Sequence, residues 1–381
     1  MHVTGLELTD FRSYPQVELA LAAGPTVLVG QNGQGKTNLI EALGYAATLR
    51  SHRVSQDAPL IRQGASRALV RVAAQRGDRP ILVELEINAG RANRARVNRS
   101  PVPRPRDVLG QVSRVLFCPE DLSLVKGDPS ERRAYLDELL VALYPRFHSV
   151  LDDLDRVLRQ RNSLLKSASA LRGGGSRARA AAEQTIGVWD DQLATLSAQV
   201  IVARHQLIGG LAEPLAEAYR SVAPSDRDPH PTARYACGVS DIGTWTPDAV
   251  RATIHDTLLV RRDEEFARGL TLVGPHRDEV HLSLHGMPVR GYASHGESWS
   301  MALALRLAAY DLLLADAGPN GAPVLVLDDV FAELDAGRRD RLAAAVADVE
   351  QVLVTAAVAD DVPSTLRERV IVVTDLAGVR S

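Results

Sequence analysis

Gly30-Gln31-Asn32-Gly33-Gln34-Gly35-Lys36-Thr37 fits the eight-residue phosphate-loop pattern at every defined position. Its flanks supply the context that the pattern requires. Thr26 to Gly30 is an apolar run with strand character, and Lys36 to Thr48 places Leu39, Ile40, Leu43 and Ala47 at the spacing of one helical face. Glycines let the backbone wrap closely enough for consecutive N–H groups to converge on a β-phosphate, and the helix N-terminus adds partial positive charge. Lys36 supplies a compact ammonium able to reach between β and γ oxygens, and Thr37 offers a hydroxyl to Mg²⁺. The chain carries 44 basic residues, of which only Lys36, Lys126 and Lys166 are lysine. A lysine at this position therefore answers a need that arginine's wide planar head meets poorly.

Outward from the loop, Val3 to Phe11, Val17 to Leu21, Ala68 to Ala74, Ile81 to Ile87 and Ala95 to Asn98 alternate in polarity or are rich in β formers, and Val115 to Phe117 is an apolar strand. From about Ser130 the period lengthens toward four. Helical patterns then cover Ser130 to Leu143, Val150 to Ala170, Ala178 to Ile208, Leu211 to Val222 and Ala249 to Arg268, with Gly173 to Gly175 reading as a helix connection. Strands are expected again at Leu270 to Val273, Val280 to Leu284, Val324 to Leu327, Val352 to Thr355 and Val370 to Val373, with helices at Glu297 to Asp316 and Gly337 to Ala347. The expected architecture is an α/β P-loop head, mixed sheet plus antiparallel β region, split by a helical arm. The head spans residues 1–135 and 269–381, and the arm 136–268.

Composition sets bounds on this reading. A chain of 381 residues with 45% hydrophobic and 24% charged residues can bury a substantial core. The longest apolar stretch, Ala302 to Ala317, is interrupted by Arg306 and Asp311 and falls short of the ~20 residues of a membrane span. Cys118 and Cys237 provide neither a disulfide framework nor a metal-ligand spacing, which points to a cytoplasmic address and no membrane. A net charge of −3 means that any polyanion must be held by a local basic face.

Val324-Leu-Val-Leu-Asp328-Asp329 is too apolar for an exposed strand and ends in two carboxylates. Such a strand in a P-loop protein delivers an aspartate to the metal, which makes Asp328 the Mg²⁺ candidate beside Thr37. Asp329 could orient or deprotonate the attacking water, or cap a turn. Ser294-His-Gly296-Glu297 opens an amphipathic helix and reads as a second anion site, which suggests a cap over the nucleotide of another copy. Arg91, Arg94, Arg96, Arg99, Arg104, Arg106 and Arg114 form the densest basic run, with Arg172, Arg177 and Arg179 as a second cluster. Each cluster reads equally as a DNA contact or as a solvated surface. Gly274-Pro-His-Arg-Asp278 reads as a structural or interface element.

With Glu333-Leu-Asp335 following Asp329, the chain resembles ATP-binding-cassette heads of the chromosome-maintenance (SMC) kind, and more narrowly the RecF family. The resemblance is carried by Leu6 to Tyr14, Gly30 to Thr37, Phe117 to Leu122, Leu124 to Gly127, Gly274 to Asp278 and Leu327 to Asp335, in order along nearly the whole chain. It implies an ATPase head with a short arm that forms an ATP-induced homodimer and binds duplex, gapped or junction DNA. It also implies work with RecR and RecO that leads to loading of RecA at single-strand gaps. ATP and Mg²⁺ are the implied cofactors, with weak DNA-dependent hydrolysis acting as a switch. By similarity, Ser294 and Gly296 would meet the γ-phosphate held by the partner copy, and Asp335 would lie across the dimer seam. Asp329 and Thr355 stand where transporter cassettes usually carry glutamate and histidine, so slow turnover is expected. The competing reading is the cassette subunit of a membrane transporter.

Overall fold

The computed structural model describes residues 1–170, 176–223, 229–239, 242–318, 321–374 and 378–380. The chain divides into two compact units, one of Met1–Lys126, Glu213–Pro231 and Leu284–Ser381, the other of Gly127–Ala212 and Thr232–Ser283.

Two six-stranded sheets build the first unit. The antiparallel sheet runs in the order Tyr14–Ala20, His2–Phe11, Arg67–Arg76, Arg79–Asn88, Arg94–Val97, Ser100–Pro101. Period-two alternation buries Leu6, Leu8, Val70, Val72, Val83 and Leu85 on one face. On the other face Glu7, Arg71, Glu84 and Arg96 lie in register across four strands, and Arg71 pairs with Glu7 at 3.3 Å and Glu84 at 3.1 Å. Both edge strands carry a proline, Pro15 and Pro101.

The second sheet has the order Gly378–Arg380, Arg369–Thr374, Gly24–Val29, Gln351–Ala356, Val324–Asp328, Arg114–Phe117, and all of its pairings are parallel except the first. Arg114–Phe117, Val324–Asp328 and Gln351–Ala356 are buried along their whole length because both faces are covered, whereas Arg369–Thr374 leaves Val370 and Val372 exposed. Helix Lys36–Thr48 contributes Leu39, Ile40 and Leu43 to a core that also holds Leu8 and Val70 of the antiparallel sheet and Leu28, Val326 and Leu353 of the parallel one. The fold is therefore the expected mixed α/β P-loop head with an antiparallel β region.

Helix His295–Ala317 has the length and composition of a membrane span, but 72% of its apolar window is buried and Trp299 packs edge-on against Phe117 at 5.8 Å. It is a core helix of the head.

The second unit is built on helices Pro129–Leu143, Phe147–Ala170 and Pro247–Arg268, with most of helix Ser176–Val222 and a strand pair between Thr232–Ala236 and Glu279–Leu284. Ser176–Val222 is one helix of 47 residues where the sequence suggests two. Burial of Leu207, Ile208, Leu211 and Leu215 carries the helix through Gly209, Gly210 and Pro214 despite their poor propensity. The glycine connection at 173–175 and Arg172 lie outside the described residues, as do the side chains of Arg177 and Arg179.

A fully buried arginine organises this unit. Arg161 is 0% exposed and donates to Asp190 Oδ1 at 2.8 Å, Glu265 Oε2 at 2.6 Å and Thr271 Oγ1 at 2.9 Å. Arg262 covers the other oxygen of Asp190 at 2.6 Å. Leu270 to Val273, expected as a strand, has no strand partner among the described residues. The Thr271 N–H donates instead to Asn162 Oδ1 and the Leu272 N–H to Glu265 Oε1, both at 2.7 Å, so helix side chains satisfy the backbone that a neighbouring strand would otherwise pair.

The Gly274 to Asp278 motif is a second knot in the same unit. Asp278 is buried, accepts the Tyr235 hydroxyl and the Gly238 N–H, and its carbonyl accepts Arg133 at 2.8 Å. Arg204, itself paired with Asp137, donates to the Pro275 carbonyl at 2.8 Å, and His276 Nε2 lies 3.2 Å from the Thr271 carbonyl. These contacts make the motif a structural element, as its sequence suggests.

Candidate nucleotide site

The site lies at the C-terminal ends of three adjacent parallel strands, where the topology places the phosphate loop after Gly24–Val29, Thr355 on Gln351–Ala356 and Asp328 at the end of Val324–Asp328. Lys36 is 4% exposed, and its Nζ donates to the carbonyls of Gly30 at 2.6 Å and Gln31 at 3.3 Å. Gln34 Oε1 accepts the Gln31 N–H at 2.6 Å. Asn32 and Gly33 are exposed at the loop's tip, and Thr37 is half-buried in the first helical turn.

Gly35 shows why glycine is needed here. Its φ is +97°, and a Cβ would stand 2.5 Å from the Tyr14 hydroxyl. Tyr14 comes from the tight hairpin Phe11-Arg12-Ser13-Tyr14, which grips the loop and its helix. The Tyr14 hydroxyl lies 3.3 Å from the Gln34 carbonyl, Ser13 Oγ accepts Asn38 at 2.8 Å, and Arg12 pairs with the buried Glu41 at 2.5 Å. Arg12, Ser51 and Arg53 together hold the Glu41 carboxyl below the usual range against the opposing effect of burial.

Asp328 is 5% exposed, and its carboxyl is pushed upward by burial and by the charges of Asp329 and Glu120, while the Thr355 hydroxyl and Lys36 act in the opposite direction. Thr355 is fully buried, donates to Asp328 Oδ1 at 2.5 Å and accepts the Asp329 N–H at 2.9 Å. Asp329 has left-handed backbone geometry, φ +56°, at the start of the Val330–Glu333 turn. The structure thus brings Lys36, Asp328, Asp329 and Thr355 together and adds Glu120, whose only sequence signal is its place in the Phe117 to Leu122 motif.

Ser294, Gly296 and Asp335 form a separate surface of the same unit. Ser294 caps helix His295–Ala317 in a reciprocal box, its Oγ accepting the Glu297 N–H at 3.2 Å and its own N–H donating to Glu297 Oε2 at 2.7 Å. Asp335 caps helix Ala336–Ala345 through the Arg338 N–H at 2.9 Å and pairs with the Arg338 guanidinium. That guanidinium lies against Gly296. Sequence reading did not single out Arg338, because nothing local links it to a glycine 42 positions earlier.

The basic run is divided by the fold. Arg91, Arg94, Arg96, Arg99 and Arg104 are exposed and Arg106 is half-buried, all toward one end of the antiparallel sheet. Arg94 and Arg96 stand opposite Glu86 and Glu84, and Arg104 lies 3.3 Å from Asp107. Arg114 leaves the group, since it is 7% exposed at the head of a core strand and packs against Gly44. Asn93, inside the run, donates to Tyr45 on the phosphate-loop helix and to Asp57.

A family model described as RecF/RecN/SMC N terminal domain matches residues 2–377. The DNA replication and repair protein RecF of Kineococcus radiotolerans is 57% identical over 378 residues, covering 96% of this chain and 95% of that protein. RecF of Frankia alni is 56% identical over 376 residues, covering 96% of each. Among solved structures, the recombination mediator protein RecF-ATPrS of the RecFOR pathway superposes with a TM-score of 0.88 at 25% identity, covering 100% of this chain and 97% of that one. RecF-ATP of the same pathway superposes at 0.86 and 25% identity, covering 99% and 96%. The Smc head domain from Pyrococcus furiosus shares the fold, with a TM-score of 0.53 at 16% identity, covering 100% of this chain and 95% of that one.

Proposed function

The chain belongs to the RecF/RecN/SMC N-terminal domain family, on its RecF branch, and from that premise we propose that it is an ATP-gated DNA-binding protein of recombinational repair. The observation that carries this reading is the gathering of Lys36, Asp328, Asp329 and Thr355 at one end of the parallel sheet, with Ser294, Gly296 and Asp335 on a second surface of the same unit.

In this reading the N–H groups of residues 30–37 and the Lys36 ammonium hold the triphosphate of ATP. Thr37 and Asp328 offer the hard oxygen donors that suit Mg²⁺. Mg²⁺ would supply charge neutralisation for the phosphates. Asp329 orients the attacking water, with its backbone fixed by Thr355. Ser294 and Gly296 close on the γ-phosphate held by a second copy, and Asp335 lines the seam, so ATP favours a homodimer. Hydrolysis is slow and ends the bound state.

Arg91, Arg94, Arg96, Arg99, Arg104 and Arg106 are the proposed DNA contacts, with Arg91 and Arg99 foremost because they are exposed outside the paired strands, whereas Arg94 and Arg96 stand opposite Glu86 and Glu84. Phosphate contacts of this kind suit duplex, gapped or junction DNA without sequence reading. The relatives' RecFOR setting supports RecR and RecO as partners, and we infer loading of RecA as the outcome and the cytoplasm as the place. The transporter alternative draws no support from these relatives.

The test is fluorescence anisotropy of a labelled gapped duplex titrated with the protein, with and without Mg-ATP, using Lys36→Met as control. ATP-dependent binding that the substitution abolishes is expected. Arg91→Glu with Arg99→Glu should flatten the log-log salt dependence by roughly 0.9 for each DNA phosphate that the variant no longer neutralises. Binding that is indifferent to ATP and to Lys36→Met would overturn the reading.

A further inference from the structure

Gly296 is the second residue of helix His295–Ala317, a position where helix propensity alone favours alanine. Its backbone is not in the left-handed region, so conformational freedom does not explain it. What its missing side chain makes room for is Arg338. A Cβ on Gly296 would stand 2.2 Å from one terminal guanidinium nitrogen of Arg338 and 2.8 Å from its Cζ.

The other end of the contact is Asp335. It accepts the Arg338 backbone N–H at 2.9 Å and pairs with the same guanidinium. The Arg338 side chain is 24% exposed against 56% for Asp335, because the guanidinium is pressed onto the helix that Ser294 caps. Arg338 also acts electrostatically on Glu297, the residue that completes the Ser294 cap. An ordinary ion pair three residues apart on a helix surface contributes little and has no need of a glycine on another helix. Here the same guanidinium also lies against Gly296, in a turn far from Asp335 in the chain.

We propose that Arg338 is a positioning residue that locks the Asp335 turn to the Ser294–Gly296 turn, so that both meet the nucleotide of a second copy of this chain as one rigid surface. The inference deepens the two-copy reading above and rests on it. Without Arg338 the two turns still form, each by its own cap, but their spacing is no longer set. Loss of Arg338 therefore weakens closure of two copies over ATP and leaves the phosphate loop intact.

The experiment compares Arg338→Ala and Arg338→Lys with the parent chain, read by sedimentation of the full chain with Mg-ATP. Fluorescent ATP binding at low protein concentration and thermal melts accompany it. Arg338→Ala should weaken ATP-dependent dimerisation by roughly tenfold. Single-copy ATP binding should stay near that of the parent chain. Arg338→Lys, which keeps the charge and stem, should fall between, and it serves where the alanine variant melts early. Parent-like dimerisation by Arg338→Ala, or an equal loss of single-copy ATP binding, would overturn the proposal. A parent chain that stays single with Mg-ATP would remove the two-copy reading itself, and that result precedes any substitution.

Discussion

The Thr355 hydroxyl donates to Asp328 Oδ1 at 2.5 Å and accepts the Asp329 N–H at 2.9 Å, so one fully buried side chain on the neighbouring strand ties together the ends of both acidic residues. Thr355→Val keeps the shape and removes both bonds. It should lower stability by about 1–3 kcal/mol, the cost of leaving buried polar groups unpaired. ATP turnover should fall by about tenfold or more through displacement of the Asp329 backbone. Thr355→Ser should recover most of both. Urea melts and steady-state phosphate release provide the check, and a valine variant equal to the parent in both would refute the role.

Gly35→Ala should abolish ATP binding. Left-handed geometry at φ +97° costs alanine about 1–2 kcal/mol, and its Cβ would stand 2.5 Å from the Tyr14 hydroxyl. Adding Tyr14→Phe removes the hydroxyl from the clash and leaves the ring carbons, which a Cβ would meet at 2.8 and 3.0 Å, and the backbone strain, so recovery should be partial. Titration with a fluorescent ATP analogue separates the two contributions.

Arg161→Met leaves Asp190 and Glu265, exposed 1% and 0%, without the guanidinium between them. Breaking a buried ion cluster at one member costs about 3–5 kcal/mol. A correspondingly large drop in denaturant midpoint is expected, and a loss below about 1 kcal/mol would show that the cluster relaxes or hydrates easily.

Burial lowers His276 to about 4 from an ordinary 6.5, with Arg277, Arg133 and Arg161 acting in the same direction and the Thr271 carbonyl opposing. Burial lowers His52 likewise to about 4, with Arg114 the next contributor. Between these values and 6.5 the unfolded chain binds more protons than the folded one. The stability from neutral His276 and His52 is therefore present above about pH 6.5 and lost as pH falls toward 4. Melts at pH 7.5 and 5.0 should differ, and His276→Gln should reduce the difference; an unchanged slope in the variant would count against a buried neutral imidazole.

The phosphate loop and the Asp328 strand were legible because their patterns are local, a glycine-lysine spacing and an apolar run ending in carboxylates. Leu270 to Val273 misled because β-rich composition says nothing of where backbone groups find partners, and here those partners are Asn162 and Glu265 side chains. Arg114 shared a charge run with Arg106, but it opens a core strand that is buried along its whole length. Gly209 and Gly210 separated two expected helices, a break that the buried leucines around them override. The Arg338–Gly296 contact joins residues distant in sequence and left no local mark.

Pro15 and Pro101, one on each edge strand of the antiparallel sheet, lack the N–H that a further strand would need at those positions. A sheet blocked at both borders does not extend into neighbouring molecules. In crowded surroundings, where many identical copies collide, this disfavours open-ended fibres built by pairing of that sheet's edges.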